Sequence, residues 1–224
     1  MNYAYTIRPA AKRPSLQGDW DGDVWGGAER LELANFLPQT PSRHARVEVK
    51  ALYQEDGFFV FFKVRDKYVR SVKRNYQDQV CTDSCVEFFV EPRPGLGYFN
   101  FEINCGGTLL LYYCLRRDPA VRPVYDPLPW ELGRQVILYH SMPDAVDPEI
   151  QADTEWRIEF FAPFSIFAPY VGPVTPAAGQ TWRGNFYKCG GDTSHPHYQM
   201  WAPMGTVCDF HLPQYFAPIR FAPA

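Results

Sequence analysis

Apolar and polar side chains alternate through Val47-Glu48-Val49-Lys50-Ala51-Leu52-Tyr53, the two-residue period of a half-buried strand. Glu55-Asp56-Gly57 carries the chemistry of a turn. Residues 58–64 that follow are almost continuously apolar, as expected of a central strand covered on both faces. The two runs predict a hairpin. A second hairpin is predicted from residues 85–91 and 98–104, joined by the turn residues Pro92-Arg93-Pro94-Gly95-Leu96-Gly97. Further strands are expected over 108–115, 136–140, 156–161, 182–189 and 216–221. Short helices are expected over 164–170 and in parts of 29–36. Residues 118–134 and 190–215 read as long, proline-rich loops, a length usually kept for function. Many short strands separated by turns predict an all-β fold, an antiparallel β-sandwich with long loops and few short helices.

The second hairpin carries register information. If the turn joins Glu91 directly to Tyr98, Val86 faces Ile103, Phe88 faces Phe101 and Val90 faces Phe99, so one face is wholly apolar. The other face then pairs Cys85 with Asn104, Glu87 with Glu102 and Phe89 with Asn100. A slip of one residue would set the apolar positions of one strand against the polar positions of the other. Two glutamates directly opposite each other repel. A neighbouring Lys or Arg, a metal, a shared proton or ligand hydroxyls must compensate.

Composition narrows the function classes. The chain has 224 residues, which suits one domain spanning 1–224. Aromatics reach 17% and there are 21 prolines, in keeping with strands and loops. The formal net charge is −3 and basic runs are absent, which argues against nucleic acid as a partner. No stretch of about 20 apolar residues suggests a membrane span. Met1 to Leu16 does not read as a signal peptide; an exported protein would have had its signal removed. The six cysteines (81, 85, 105, 114, 189 and 208) form no CxxC pair and are expected as free, mostly buried thiols.

Four segments, in this order, resemble the family-nine carbohydrate-binding modules and their β-sandwich relatives. They are Gly18-Asp19-Trp20-Asp21-Gly22-Asp23-Val24-Trp25, the strand 58–66 ending Val64-Arg65-Asp66, Asp83-Ser84-Cys85-Val86-Glu87-Phe88-Phe89-Val90, and Trp201-Ala202-Pro203 with residues 210–216. The resemblance implies a sugar held between two aromatic rings, with a Glu, an Arg, a Gln and Asn residues on its hydroxyls and calcium bracing the fold. Glu87 matches the family's sugar-binding glutamate. Phe210 falls where one tryptophan would be, and the other falls near Cys81. Glu102 stands in place of the Arg and Tyr187 near the Gln, while Asn104 and Asn185 keep their places.

The implied activity is carbohydrate binding, accessory to polysaccharide breakdown, with an oligo- or polysaccharide and a degrading enzyme as partners. Candidate sugar contacts are Glu87, Glu102, Asn104, Tyr76, Asn185, Tyr187, Trp201 and Phe210, with Trp130 as a further platform and Trp25 assigned to the core. Two alternatives stand beside a non-catalytic module: a glycoside hydrolase using Glu87 and Glu102, and an interaction domain without sugar. No cofactor is required. Asp19, Asp21 and Asp23 around Gly22 offer oxygens for calcium, though an ordinary Asp-rich turn reads equally from the same residues. Met200, Met204 and His211 are considered for haem, and His195-Pro196-His197 is read as a loop.

Overall fold

A computed structural model describes residues 3–41, 45–115, 123–174 and 179–223. In chain order the strands are β1 (Tyr5–Pro9), β2 (Arg30–Glu32), β3 (Asn35–Phe36), β4 (Arg46–Gln54), β5 (Gly57–Asp66), β6 (Val69–Ser71), β7 (Cys85–Glu91), β8 (Tyr98–Asn104), β9 (Leu109–Leu115), β10 (Val124–Pro127), β11 (Ile137–His140), β12 (Val146–Ile150), β13 (Thr154–Pro163), β14 (Thr181–Cys189), β15 (Tyr198–Met200) and β16 (Ala217–Phe221). The α-helices are single turns: α1 (Asp23–Gly26), α2 (Trp130–Gly133) and α3 (Ala168–Val171).

The strands form a large curled sheet that folds into two layers. One layer runs β10-β9-β8-β7-β14-β16 and the other β4-β5-β13-β11. Strand β1 joins them, parallel to β16 on one side and to β4 on the other. The other ladders are antiparallel. The β7–β8 register is the one the alternation predicts, from Cys85 opposite Asn104 to Val90 opposite Phe99. Residues 30–36, where helix was hinted, instead form β2 and β3. Pairing with neighbouring strands outweighs the local helical pattern: β2 joins β4 and β3 joins β15. The segment 164–170 is helical as expected, a 3₁₀ turn leading into α3. Both long loops hold short elements: β10 and α2 in the first, β15 and a 3₁₀ turn in the second. Residues 116–122 of the first loop lie outside the described residues.

The inner faces meet in the main core. Phe58, Val60 and Phe62 of β5, Phe88 of β7, Phe101 of β8 and Phe160 of β13 are all buried there. Phe88 stacks on Phe186 with centroids 4.5 Å apart, and Phe58 meets Phe88 edge-on at 5.7 Å. Each such ring contributes on the order of 3–5 kcal/mol against truncation to Ala. One charge is buried at this face. Lys188 of β14 pairs with Asp66 of β5 at 2.9 Å, both side chains wholly buried. Its ammonium also donates to the Cys189 carbonyl and lies against His197. The pair ties the two layers at the end where the 190–198 segment begins.

The outer faces are covered as well. The N-terminal segment lays Trp20 and Trp25 over Phe59, Phe61 and Phe161 of the β5–β13 layer. Trp25 is therefore core, as expected. The chain from 198 to 216 lays Met200, Met204, Phe210, Leu212 and Phe216 over Cys85, Phe89, Tyr98 and Tyr187 of the β7–β14 layer.

Candidate functional site

The second cover is incomplete and leaves a pocket of about 420 Å³, within the size range of small-ligand sites. Its floor is the outer face of β7, β8 and β14. Glu87, Asn100, Glu102 and Cys189 reach it because they hold the odd or even positions opposite to the core-facing ones. Leu110 and Tyr112 continue the floor on β9. Tyr125 comes from β10, Gln79 and Cys81 from the turn before β7, and Tyr198, Phe210 and His211 from the covering segment. Among the described residues no Lys or Arg lines the cavity.

The glutamates set its electrostatics. Glu87 and Glu102 are cross-strand partners, both buried. Burial, reinforced by the charge of Glu102, pushes the Glu87 carboxyl well above the ordinary carboxylate range. Burial pushes Glu102 to about 7, against a smaller opposing hydrogen bond from Asn100. At neutral pH the pair therefore retains a proton, one of the four means of compensation the register required. Asn100 donates to Glu102 Oε1 at 2.6 Å and accepts from the Tyr112 amide at 3.0 Å. The Cys189 thiol donates to Glu87 Oε1 at 3.0 Å. His211 is held by Tyr98, with the phenol oxygen 2.8 Å from Nδ1, and packs edge-on against Tyr125. The result is a hydrogen-bonding floor with a rim of Tyr112, Tyr125, Tyr198 and Phe210.

The structure brings Glu87, Glu102 and Phe210 together in this pocket, along with Cys81, the position matched to the second family tryptophan. Tyr187 lies directly beneath. Its ring stacks on Phe210 at 4.2 Å and is fully buried, so it backs the rim rather than meeting a ligand. Four candidates fall elsewhere. Asn104 is buried, giving its amide to Lys73 O and Asp83 and accepting from the Thr108 amide. Asn185 is buried, clamping the Ala202 backbone through both its oxygen and its nitrogen. Both amides are engaged within the protein, Asn104 by backbone and Asp83, Asn185 by backbone. Trp201 sits in the main core, edge-on to Tyr5 and Phe186. Tyr76 bonds the Leu128 carbonyl and, with Trp130, borders a separate pocket of about 430 Å³.

Asn100, Tyr112 and Tyr125 are pocket residues that the sequence reading did not nominate. Asn100 was legible, since the predicted register already placed it beside Glu102 on the polar face. Tyr125 was not, because it lies in a stretch that reads as loop.

Metal and haem readings find less support. Asp19, Asp21 and Asp23 do not converge on one point. Among the described residues, the group whose ligating atoms lie together is Cys85, Glu87 and Cys189. The aspartates therefore do not fit a calcium cage and read as an Asp-rich turn. His211 lines the pocket but Met200 and Met204 do not, so these residues do not supply two haem ligands facing one cavity. His197 is buried against Lys188 while His195 stacks on Tyr68, so the two imidazoles take separate structural contacts. The six cysteines are free; Cys208 is exposed and Cys81 half-buried.

Comparison with known proteins gives a consistent picture. The sequence model of carbohydrate-binding family 9 matches residues 31–221. Among solved structures, a candidate carbohydrate-binding protein from Bacteroides uniformis is 25% identical with a TM-score of 0.86, covering 99% of this chain and 100% of its own. A carbohydrate-binding module of family 9 from Caldicellulosiruptor kristjanssonii, solved with cellotriose, is 12% identical with a TM-score of 0.67, covering 98% and 94%. The same module family from that organism, solved with glucose, is 12% identical with a TM-score of 0.62, covering 98% and 97%. No curated protein sequence matches the chain.

Proposed function

Because the chain belongs to carbohydrate-binding family 9, we propose that the pocket over Glu87 and Glu102 is its sugar site and that its ligand is a neutral oligosaccharide. The observation that carries this reading is the coincidence of three features in one cavity. They are a hydrogen-bonding floor of two carboxyls and an amide, a rim of aromatic rings, and a described lining without Lys or Arg. A protonated carboxyl both donates and accepts, which suits a hydroxyl that does the same. Tyrosine rings offer flat apolar faces to the C–H face of a pyranose. Three acids, Glu87, Glu102 and Asp209, with no Lys or Arg among the described lining residues, disfavour a uronate or sulfated sugar. The cellotriose and glucose held by the family-9 modules of C. kristjanssonii make short β-glucans the first ligands to try. The module would serve polysaccharide breakdown by holding substrate near a degrading enzyme.

Isothermal titration with cello- and xylo-oligosaccharides, in chelator, tests the reading. Saturable binding is expected, without release of reducing sugar. Galacturonides should not bind. Glu87→Gln should weaken binding at least tenfold, about 1.4 kcal/mol, with the melting temperature maintained. A folded protein that ignores the whole neutral panel, or binds equally well as Glu87→Gln, would refute the proposal.

A further inference from the structure

The pocket floor holds a second kind of chemistry. Cys85 of β7 and Cys189 of β14 are direct cross-strand partners, and Glu87 is two residues along β7 on the same face. Their Sγ, Sγ and carboxylate oxygen all lie within 4.8 Å of one another. Cys189 and Glu87 open onto the cavity, which supplies an entry path. Across from Glu87 stands Glu102, and among the described residues no Lys or Arg lines the cavity to balance the two.

We propose that Cys85, Cys189 and Glu87 form a binding site for a thiophilic divalent cation of the zinc type, with a fourth coordination position open toward the pocket. Two thiolates and a carboxylate match the ligand preferences of zinc, whereas two sulfurs exclude calcium and magnesium. Three protein ligands and one open position form a familiar zinc arrangement. The cation would also supply the positive charge that the opposed glutamates lack.

The proton balance is explicit. Two thiols and one carboxylic acid each lose a proton as the cation enters, and three protons leave to solvent. Burial raises Glu87 and Cys85, the latter to about 12, and the hydrogen bond with Cys85, then burial, raises Cys189, so a cation must displace protons held well above neutral pH. Affinity therefore rises with pH. The site shares the pocket with the proposed sugar but does not depend on it.

Cobalt(II) is the probe, with reduced protein in a Cys208→Ala background that removes the exposed thiol. The expected result is one cobalt per chain, with cobalt–thiolate charge-transfer absorption that zinc displaces. Zinc-edge absorption spectroscopy should return two sulfurs at about 2.3 Å. Cys85→Ser and Cys189→Ser should each lower affinity at least tenfold and remove part of the thiolate band. Glu87→Gln, which keeps the packing intact, should weaken binding while retaining both sulfurs. A folded, reduced protein without the thiolate band overturns the proposal. So does a band that survives the double serine variant, or a Cys85–Cys189 disulfide as the standing form of the reductant-free protein. Because the titration contains no sugar and the sugar titration contains chelator, each reading can fail alone.

Discussion

The two outer faces of the sandwich are covered by the same device, a loop laid across strands, yet they treat a buried carboxylate in opposite ways. On the β5–β13 layer, Glu159 accepts from the Gly18 amide at 2.8 Å and from the Trp25 indole at 3.0 Å. Lys50 and Lys63 each lie 4.6 Å from the adjacent Trp20 ring, and the remaining void is only about 60 Å³. On the β7–β14 layer, among the described residues Glu87 receives a thiol alone and lies beside another glutamate on the floor of a cavity seven times larger. A buried acid supplied with donors closes a structure. A buried acid left short of donors keeps a place for something that brings hydroxyls or charge.

The largest test of that contrast is Trp25→Ala. Loss of a buried indole, together with a donor to Glu159, should destabilise by about 3–5 kcal/mol in urea unfolding, with sugar affinity in the surviving folded protein unaltered. Trp25→Phe should cost less, since the ring remains.

On the open face, acid removal should stabilise instead. A folded pKa of about 7 for Glu102, against about 4.5 in the open chain, means its contribution to stability is fully present at low pH and lost as pH rises between those values. The loss is on the order of 3 kcal/mol. Glu102→Gln should remove this slope, gaining stability over the parent above pH 7 and nothing below pH 4. An unchanged pH–stability curve would show that the pair is not buried as described. Sugar affinity should likewise fall in the parent as pH rises through about 7 and Glu102 loses its proton.

Smaller effects come from the rim. Tyr125→Ala removes a ring that is 40% exposed, so stability should change by less than about 0.5 kcal/mol while calorimetric affinity falls several-fold. Trp130→Ala, at the separate pocket, should change neither. A loss of affinity there would move the site.

The same contrast explains what could be read from the sequence. Where alternation is strict and both partners are local, as in β7 and β8, the pattern specified the register pair by pair, and with it the opposed glutamates. The continuous apolar run of β5 likewise announced burial on both faces, realised by the main core within and by Trp20 and Trp25 outside. The pocket rim was less accessible because three separate segments assemble it. Tyr125 belongs to a four-residue edge strand, exposed along its length, with no apolar period to betray it. Asn104 and Asn185 illustrate a different limit. Their positions were right for the polar face, but an amide beside a turn or a covering segment is claimed by backbone groups before any ligand. Aromatic identity alone did not tell Trp201, which fills the core, from Phe210, which rims the cavity.

The place of β1 has a mechanical meaning. It pairs in parallel with β16, Tyr5 beside Ile219 and Ile7 beside Phe221, so the chain enters one end of this ladder and leaves from the other. Tension applied through the two flanking segments loads all of the ladder's hydrogen bonds together, in shear, rather than peeling them one at a time. Single-molecule pulling through those ends should therefore meet one high rupture force, whereas pulling through the β7–β8 turn and the C-terminal end should open the sheet at lower load. A domain loaded through both of its chain ends would be gripped along its strongest axis.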